Sequence, residues 1–202
     1  MRVLVLGAGG HARPVIEALR ATGAEITGLL DDAEGGPLLG VPRLGPVAAL
    51  AAHAAPGLGA VVAIGDNATR ARLGAMCRAQ GLALPALVHP AALVSPSARI
   101  EEGAQVMARA VIGPLAAIGP LALVNTGAIV EHDATVEDAA HIAPGAVLCG
   151  FVRIGARALV GAGAVLQPGV AVGADARIAG GAAVAAPVAA GATVAGVPAR
   201  PI

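Results

Sequence analysis

The run Val130-Glu131-His132-Asp133-Ala134 sets an imidazole between two carboxylates. A carboxylate bonded to one ring nitrogen fixes the tautomer and supports the imidazolium, leaving the other nitrogen to take a proton. His132 is therefore a candidate general base, with Glu131 or Asp133 as its orienting acid. His141 follows nine residues later. A second constellation opens the chain, where Gly7-Ala8-Gly9-Gly10-His11-Ala12 has the spacing G-x-G-x-x-A and Asp31-Asp32 follows. Between a strand and a helix, such glycines admit a ligand to the backbone, and the helix N-terminus attracts phosphate oxygens. Asp31 and Asp32 can accept hydrogen bonds from a ribose or a base edge, and Arg13 is a candidate for phosphate. Gly65-Asp66-Asn67 repeats the theme, with Arg70 one turn further on. Asn67 is either a ligand contact or a helix cap. Alone, the glycine motif leaves a dinucleotide, a nucleotide diphosphate sugar and a plain packing turn all open.

These residues sit on two kinds of framework. From Val88 to Val184, seventeen six-residue steps each open on an aliphatic residue, and each carries Ala or Val four positions later. No helix has a period of six, and a simple strand has a period of two. Large and small apolar residues alternating at this period fit a solenoid of short strands that turns a corner every six residues. Three corners close a coil of eighteen, so position n stacks on n+18. The aliphatics fill the inside and the small residues sit near the corners. Gly196-Val197-Pro198-Ala199-Arg200 breaks the register and caps the last coil.

The first part of the chain alternates strand and helix. Strands are expected at residues 2–7, 25–30 and 60–64, and helices at 11–20, 46–55 and 67–80, a pattern that implies an open, mostly parallel sheet. The fold class is thus an N-terminal Rossmann-like α/β domain (residues 1–86) followed by a parallel β-helix (residues 87–202). Both glycine loops then lie at the edge of the sheet where ligands usually bind.

Composition narrows the functions. The formal net charge is zero and the only aromatic residue is Phe151, which argues against nucleic acid as a partner. No apolar stretch reaches about 20 residues, so no spanning helix and no membrane partner is expected, and a cytoplasmic protein is. Cys77 and Cys149 are too few and too scattered for a disulfide framework or a zinc cluster. Cys149 stands beside Gly150 without an evident activating partner and reads as packing.

Eighteen-residue stacking puts Gly150 over His132 and Pro114 under it. A glycine there leaves room beside the ring and an unshielded N–H, a candidate oxyanion donor. His132 and His141 are half a coil apart, so a shared metal would need His89 or another subunit, and no metal is expected. His53 and His89 have no such setting, and His11 either touches ligand or helps to cap its helix.

The joint motifs resemble the bacterial sugar acetyltransferases of the sialic acid O-acetyltransferase type, a group that includes N-acetyltransferases of UDP-linked 4-amino sugars. The resemblance runs along the whole chain. It is carried by residues 5–13, Ile64-Gly-Asp-Asn67, residues 124–133, His141-Ile-Ala-Pro-Gly145 and Gly196-Val-Pro-Ala-Arg200. It implies a left-handed β-helix that binds acetyl-CoA, an N-terminal domain that holds the nucleotide of the acceptor, and a homotrimer with active sites between subunits. It further implies His132 as the base, Glu131 or Asp133 as its acid, and Gly150 beside the thioester carbonyl. Asn125 and His141 would line the acyl and acceptor site, and Gly161, Ala179 and Pro198 the path of the coenzyme. Gly7, Gly9, Gly10, His11, Arg13, Asp31, Asp32 and Asn67 would hold the acceptor.

The expected activity is transfer of acetyl from acetyl-CoA to the 4-amino group of a UDP-linked dideoxy sugar. Acetylation of a sialic acid or another sugar hydroxyl is the alternative within the family. A non-catalytic scaffold, a nicotinamide-binding protein and a metal-dependent anhydrase of the gamma class are readings of other classes. They are separated by acetyl-CoA binding, nicotinamide binding and metal content.

Overall fold

A computed structural model describes all residues, 1–202. The N-terminal unit is a four-stranded parallel sheet built from β1 (Arg2–Leu6), β2 (Glu25–Leu30), β3 (Arg43–Gly45) and β4 (Leu58–Val62) in the order β3-β2-β1-β4. Three helices complete it: α1 (Ala12–Ala21), the short α2 (Leu50–His53) and α3 (Asn67–Ala79). Val3 to Leu6 are fully buried, as an apolar run covered on both faces must be. In α1, Ala12, Val15, Ile16 and Leu19 form the buried stripe. The sequence underpredicted this unit in two places. β3 went unseen because it is short and ends in glycine, and the segment expected as one helix at 46–55 is a 3-10 turn at Val47–Ala49 followed by α2.

The repeats form a three-sided parallel β-helix of two-residue strands. On the first face Leu87–Val88, Gln105–Val106, Leu123–Val124, His141–Ile142, Leu159–Val160 and Arg177–Ile178 stack in parallel. The second face runs from Leu93–Val94 to Ala183–Val184 and the third from Arg99–Ile100 to Ala171–Val172. The partners Ile112, Val130 and Leu148 give the eighteen-residue step directly. Inward aliphatics and corner alanines share one core in which Ile118, Val130, Ala134, Ile142 and Ala146 are all fully buried. The register breaks earlier than the sequence suggested. Val188 bridges to Val172 and Val194 pairs with Ile178, a step of sixteen, so two residues are lost just after Val184 around Pro187. The segment 196–200 follows that break and lets Arg200–Pro201 return antiparallel to Thr193–Ala195.

Outward positions tell the three faces apart. The first face buries Leu87, Gln105 and Leu123 against the N-terminal unit. The second presents only aliphatics, Leu93, Val111, Ile129, Val147, Val165 and Ala183, of which Leu93 and Val165 are exposed. The third presents Arg99, Ala117, Thr135, Arg153 and Ala171.

Arg70 of α3 joins the two units. It is completely buried, yet no carboxylate bonds it. Its Nε donates to the Leu121 carbonyl at 2.8 Å and its Nη2 to that of Ala139 at 2.7 Å, both in the solenoid. Its Nη1 donates to the Ile64 and Gly65 carbonyls, each at 3.0 Å, and Nη2 also reaches Asn67 Oδ1 at 2.8 Å. A buried cation survives only when its donors are all answered, and here main-chain oxygens answer them. Burial still lowers its pKa to about 10. Arg70→Met should leave these carbonyls unpartnered and lower the unfolding free energy by about 3 kcal/mol or more. Denaturant titration of the two proteins side by side checks this.

Candidate active site

Two groups of polar side chains emerge, on different corners of the coil. At the corner between the second and third faces stands His132, its side chain half exposed. Its Nδ1 lies 2.9 Å from Asp133 Oδ2. Asp133 has φ 57°, the left-handed corner conformation that Asp tolerates better than most residues. The Glu131 side chain makes no hydrogen bond and faces solvent, so Asp133 is the carboxylate that bonds the ring. Gly150 is stacked on His132 as the spacing requires. A Cβ added there would lie 2.6 Å from both Nε2 and Cε1 of the ring, so only glycine leaves this edge free. The Gly150 N–H donates to no protein acceptor, as an oxyanion donor must not. Phe151 meets the imidazole edge to face, with centroids 5.2 Å apart. That contact was not anticipated, although the one aromatic of the chain next to the stacked glycine was a readable signal.

The second group lies where the sheet meets the first face. Gly7, at φ 107°, turns the chain out of β1, and no other residue type adopts that angle readily. The turn is pinned by Asp31, whose Oδ2 accepts the Ala8 N–H at 2.6 Å and whose Oδ1 accepts the Ala33 N–H at 2.8 Å and Arg43 Nη1 at 3.3 Å. Asp31 is thus committed to the protein at both oxygens. Asp32 accepts the Val47 N–H through Oδ1 alone. The N–H groups of Gly9, Gly10 and His11 have no protein acceptor, and nothing lies within 4 Å of where a Cβ would sit on Gly9 or Gly10. Three free donors thus stand at the start of α1, beside the point where strand order reverses, the setting in which anions usually bind. Arg13 is exposed and reaches only the Gly9 carbonyl.

Asn67 is not the cap of α3. Asp66 is, accepting the Thr69 N–H at 2.8 Å. The Asn67 amide instead donates to the Arg157 and Ala158 carbonyls of the solenoid at 2.8 and 3.1 Å and accepts from Arg70. Its side chain staples the units, leaving its main-chain N–H as the group free to meet a ligand. His11 likewise makes no side-chain cap, since its Nε2 lies 2.9 Å from Gln105 Oε1.

His141 sits against the same seam, its Nε2 3.1 Å from Asn125 Nδ2. Asn125 Oδ1 already accepts the Thr126 N–H, so its amide group faces the ring and His141 carries its proton on Nδ1. Burial, with Arg70 and His11 adding to it, pushes the His141 pKa down to about 3. His11 is lowered for the same leading reason, burial, opposed by its Gln105 bond and aided by Arg70. A polar cleft of about 180 Å³ opens beside His141, lined by residues 65–68, Arg157, Leu159, Asp175 and Arg177. Gly161 and Ala179 lie at the corner between the first and second faces, and Pro198 lies exposed in the last turn. The amides of Gly161 and Ala179 bond within the ladder, to Ile178 and Val194.

Within one chain, His132 therefore stands at the corner opposite the first face, away from the His11–His141 group. The two histidines of the coil do not converge, and no group of three or more His, Cys, Asp or Glu side chains is placed to hold a metal. Cys77 is buried with its pKa raised to about 11, the state of an inert thiol.

The depressed pKa of His141 has a thermodynamic consequence. Unfolded, the ring titrates near pH 6.5, whereas folded it stays neutral down to about 3. Between those values the unfolded chain binds more protons, so stability is full above pH 6.5 and falls as pH drops. From pH 6.5 to 4.5 the loss has an upper limit of roughly 3 kcal/mol from this residue. Urea titrations across that window should show the slope, and His141→Gln should flatten it.

The model of the PglD N-terminal domain family matches residues 2–76. None of the curated proteins compared matches the chain. Among solved structures, a perosamine N-acetyltransferase from Caulobacter crescentus, PerB, crystallised with CoA and GDP-perosamine, is 41% identical with a TM-score of 0.96. The match covers 100% of this chain and 97% of that one. The acetyltransferase domain of PglB from Neisseria gonorrhoeae FA1090 in complex with acetyl coenzyme A is 38% identical, with a TM-score of 0.96 and coverage of 100% and 98%. WeeI from Acinetobacter baumannii AYE matches from end to end at 25% identity with a TM-score of 0.85. The likeness takes in both units, an α/β domain followed by the left-handed β-helix. Relatives this similar over their full length place the chain in the hexapeptide-repeat acyltransferase superfamily, among the bacterial sugar N-acetyltransferases of the PglD and PerB kind.

Proposed function

We propose that the protein transfers the acetyl group of acetyl-CoA to the amine of a nucleotide-linked amino sugar. The observation that carries this is the 41% identity, over the whole chain, to a relative bound to CoA and GDP-perosamine. The same relative favours a guanosine diphosphate handle beside the uridine one. Residues 1–86 hold the nucleotide sugar, with the free N–H groups of Gly9, Gly10 and His11 toward its phosphates. Residues 87–202 hold the acetyl donor and the base, along a path past Gly161, Ala179 and Pro198. Acetyl-CoA as donor goes with a cytoplasmic reaction.

His132 takes a proton from the amine as nitrogen attacks the thioester carbon, and Asp133 holds the imidazolium that results. The Gly150 N–H donates to the oxyanion that develops on the carbonyl. The C–N bond forms, the C–S bond breaks, and His132 returns its proton to the departing sulfur. Each step uses main chain and side chains already in place, with no covalent enzyme intermediate.

The active site is formed between subunits of a homotrimer. In one chain the second face separates the base from the nucleotide edge, and that face carries an unbroken aliphatic column. Such a column on a flat side asks to be covered, and three-fold closure covers it on every copy. Closure also carries His132 of one subunit toward the nucleotide edge of the next, with Asn125 and His141 lining the acyl and acceptor groups there.

Thiol release from acetyl-CoA with GDP- and UDP-linked 4-amino sugars tests the activity. Acceptor-dependent release is expected, and its absence across amine and hydroxyl acceptors alike would overturn the reading. His132→Ala should lower kcat by about 10²- to 10⁴-fold, Asp133→Asn by a smaller factor, and Glu131→Gln hardly at all. Sedimentation should give a particle of three 19.3 kDa chains. Ile129→Glu, in the aliphatic column, should release monomers and abolish turnover, whereas an active monomer would place the whole site within one chain.

A further inference from the structure

Gln105 is the polar exception in a buried apolar setting. It stands between Leu87 and Leu123 in the outward column of the first face and is 1% exposed. Packing alone would favour another aliphatic there, and an uncompensated amide would be costly. Both ends of the amide are compensated. Its Nε2 donates to the Val62 carbonyl at 2.7 Å, at the end of β4, and its Oε1 lies 2.9 Å from His11 Nε2. The Val62 bond settles which way the amide points, because a carbonyl can only accept. Oε1 therefore faces His11, and the His11 proton resides on Nε2. The other ring nitrogen, Nδ1, has no protein partner, and it belongs to a half-buried residue beside the open Gly9-Gly10 turn.

We infer that Gln105 is a positioning residue for the acceptor: it locks His11 in the Nε2–H tautomer, so that bare Nδ1 accepts a hydrogen bond from an O–H or N–H of the nucleotide sugar. The inference rests on the proposed function and deepens it. A bare lone pair repels phosphate oxygens, so the phosphates go to the free main-chain N–H groups while His11 reads a hydroxyl or an amide N–H. The charged and titratable groups around the ring favour this state. Arg70 faces it from α3, His141 from the solenoid, and Arg13 lies on its own helix, while Asp31 is turned toward Ala8, Ala33 and Arg43. No carboxylate bonds the ring, and burial lowers its pKa.

The test uses the full-length protein and three probes: acetyl-CoA, GDP-perosamine and its N-acetylated product, which has no titrating amine. Long-range ¹H–¹⁵N NMR of the imidazoles, with His11 assigned by His11→Asn, should find the proton on Nε2 in the wild type and a mixture in Gln105→Met. Gln105→Met should bind the N-acetylated sugar at least fivefold more weakly and acetyl-CoA unchanged. Gln105→Glu puts a carboxylate on Nε2–H and favours the imidazolium, so its acceptor affinity should fall at pH 6 and recover toward pH 8.5. Wild-type binding should stay flat over that range. Wild-type binding that tightens on acidification would mean that His11 meets phosphate as a cation and would overturn the inference. So would unchanged sugar binding in a folded Gln105→Met protein. A wild type that binds neither these sugars nor their UDP-linked counterparts would instead sink the proposed function and is told apart by that. If Gln105→Glu fails to fold, the NMR tautomer and the Gln105→Met affinities still decide.

Discussion

Closure of the coil at eighteen residues is the constraint on which the rest of the molecule depends. Each inward aliphatic must lie on the one eighteen residues earlier, as Val130 lies on Ile112 and under Leu148. Once that is fixed, so is every corner. Gly150 has to rest against the His132 ring, where a Cβ would come within 2.6 Å of two of its atoms. The same rule stacks Gln105, Leu123 and His141 in one outward line, where the N-terminal unit covers the first two and stops at the third. A solenoid so regular has little freedom to place a functional group. It supplies chemistry by leaving selected corner positions unlike their neighbours.

That regularity explains what was legible. The period of six gave the coil, its core and the His132–Gly150 contact without any structural information, because stacking converts spacing into proximity. What lay between the two units was not legible. Arg70 reads in sequence as one more arginine on an exposed helix, and its true surroundings are carbonyls of Leu121 and Ala139, some fifty and seventy positions away. Main-chain oxygens leave no signature in a sequence. The cap alternative for Asn67 fails for a related reason. An Asn at the start of a helix suggests a cap, but the adjacent Asp66 caps better, and this frees the Asn67 amide to cross to the solenoid. The shortened last coil escaped notice because Val188 suits both the old register and the new one.

The histidines divide according to these surroundings. His11 and His141 stand near a cation that hydrogen-bonds to no carboxylate and is offset only through space by Asp66, and burial already disfavours their charged forms. They are suited to act as neutral hydrogen-bonding groups of fixed tautomer. His132 stands at an open corner with Asp133 on Nδ1, an arrangement that can carry a proton through the transfer and release it.

The seam and the corner must also stay apart. A carboxylate beside Arg70 would give a conventional ion pair and a weaker field at His141. Satisfying Arg70 with carbonyls and the Asn67 amide oxygen leaves only the through-space pull of Asp66 against it and joins the two units. The carboxylate that bonds His132 is Asp133, at the corner opposite the first face in the same chain. In the proposed trimer the aliphatic second face does more than bind copies together, because it also stands between the acid of one subunit and its own nucleotide edge. There a neighbouring copy would bring base and acceptor together, with water excluded and the amine deprotonated as it attacks.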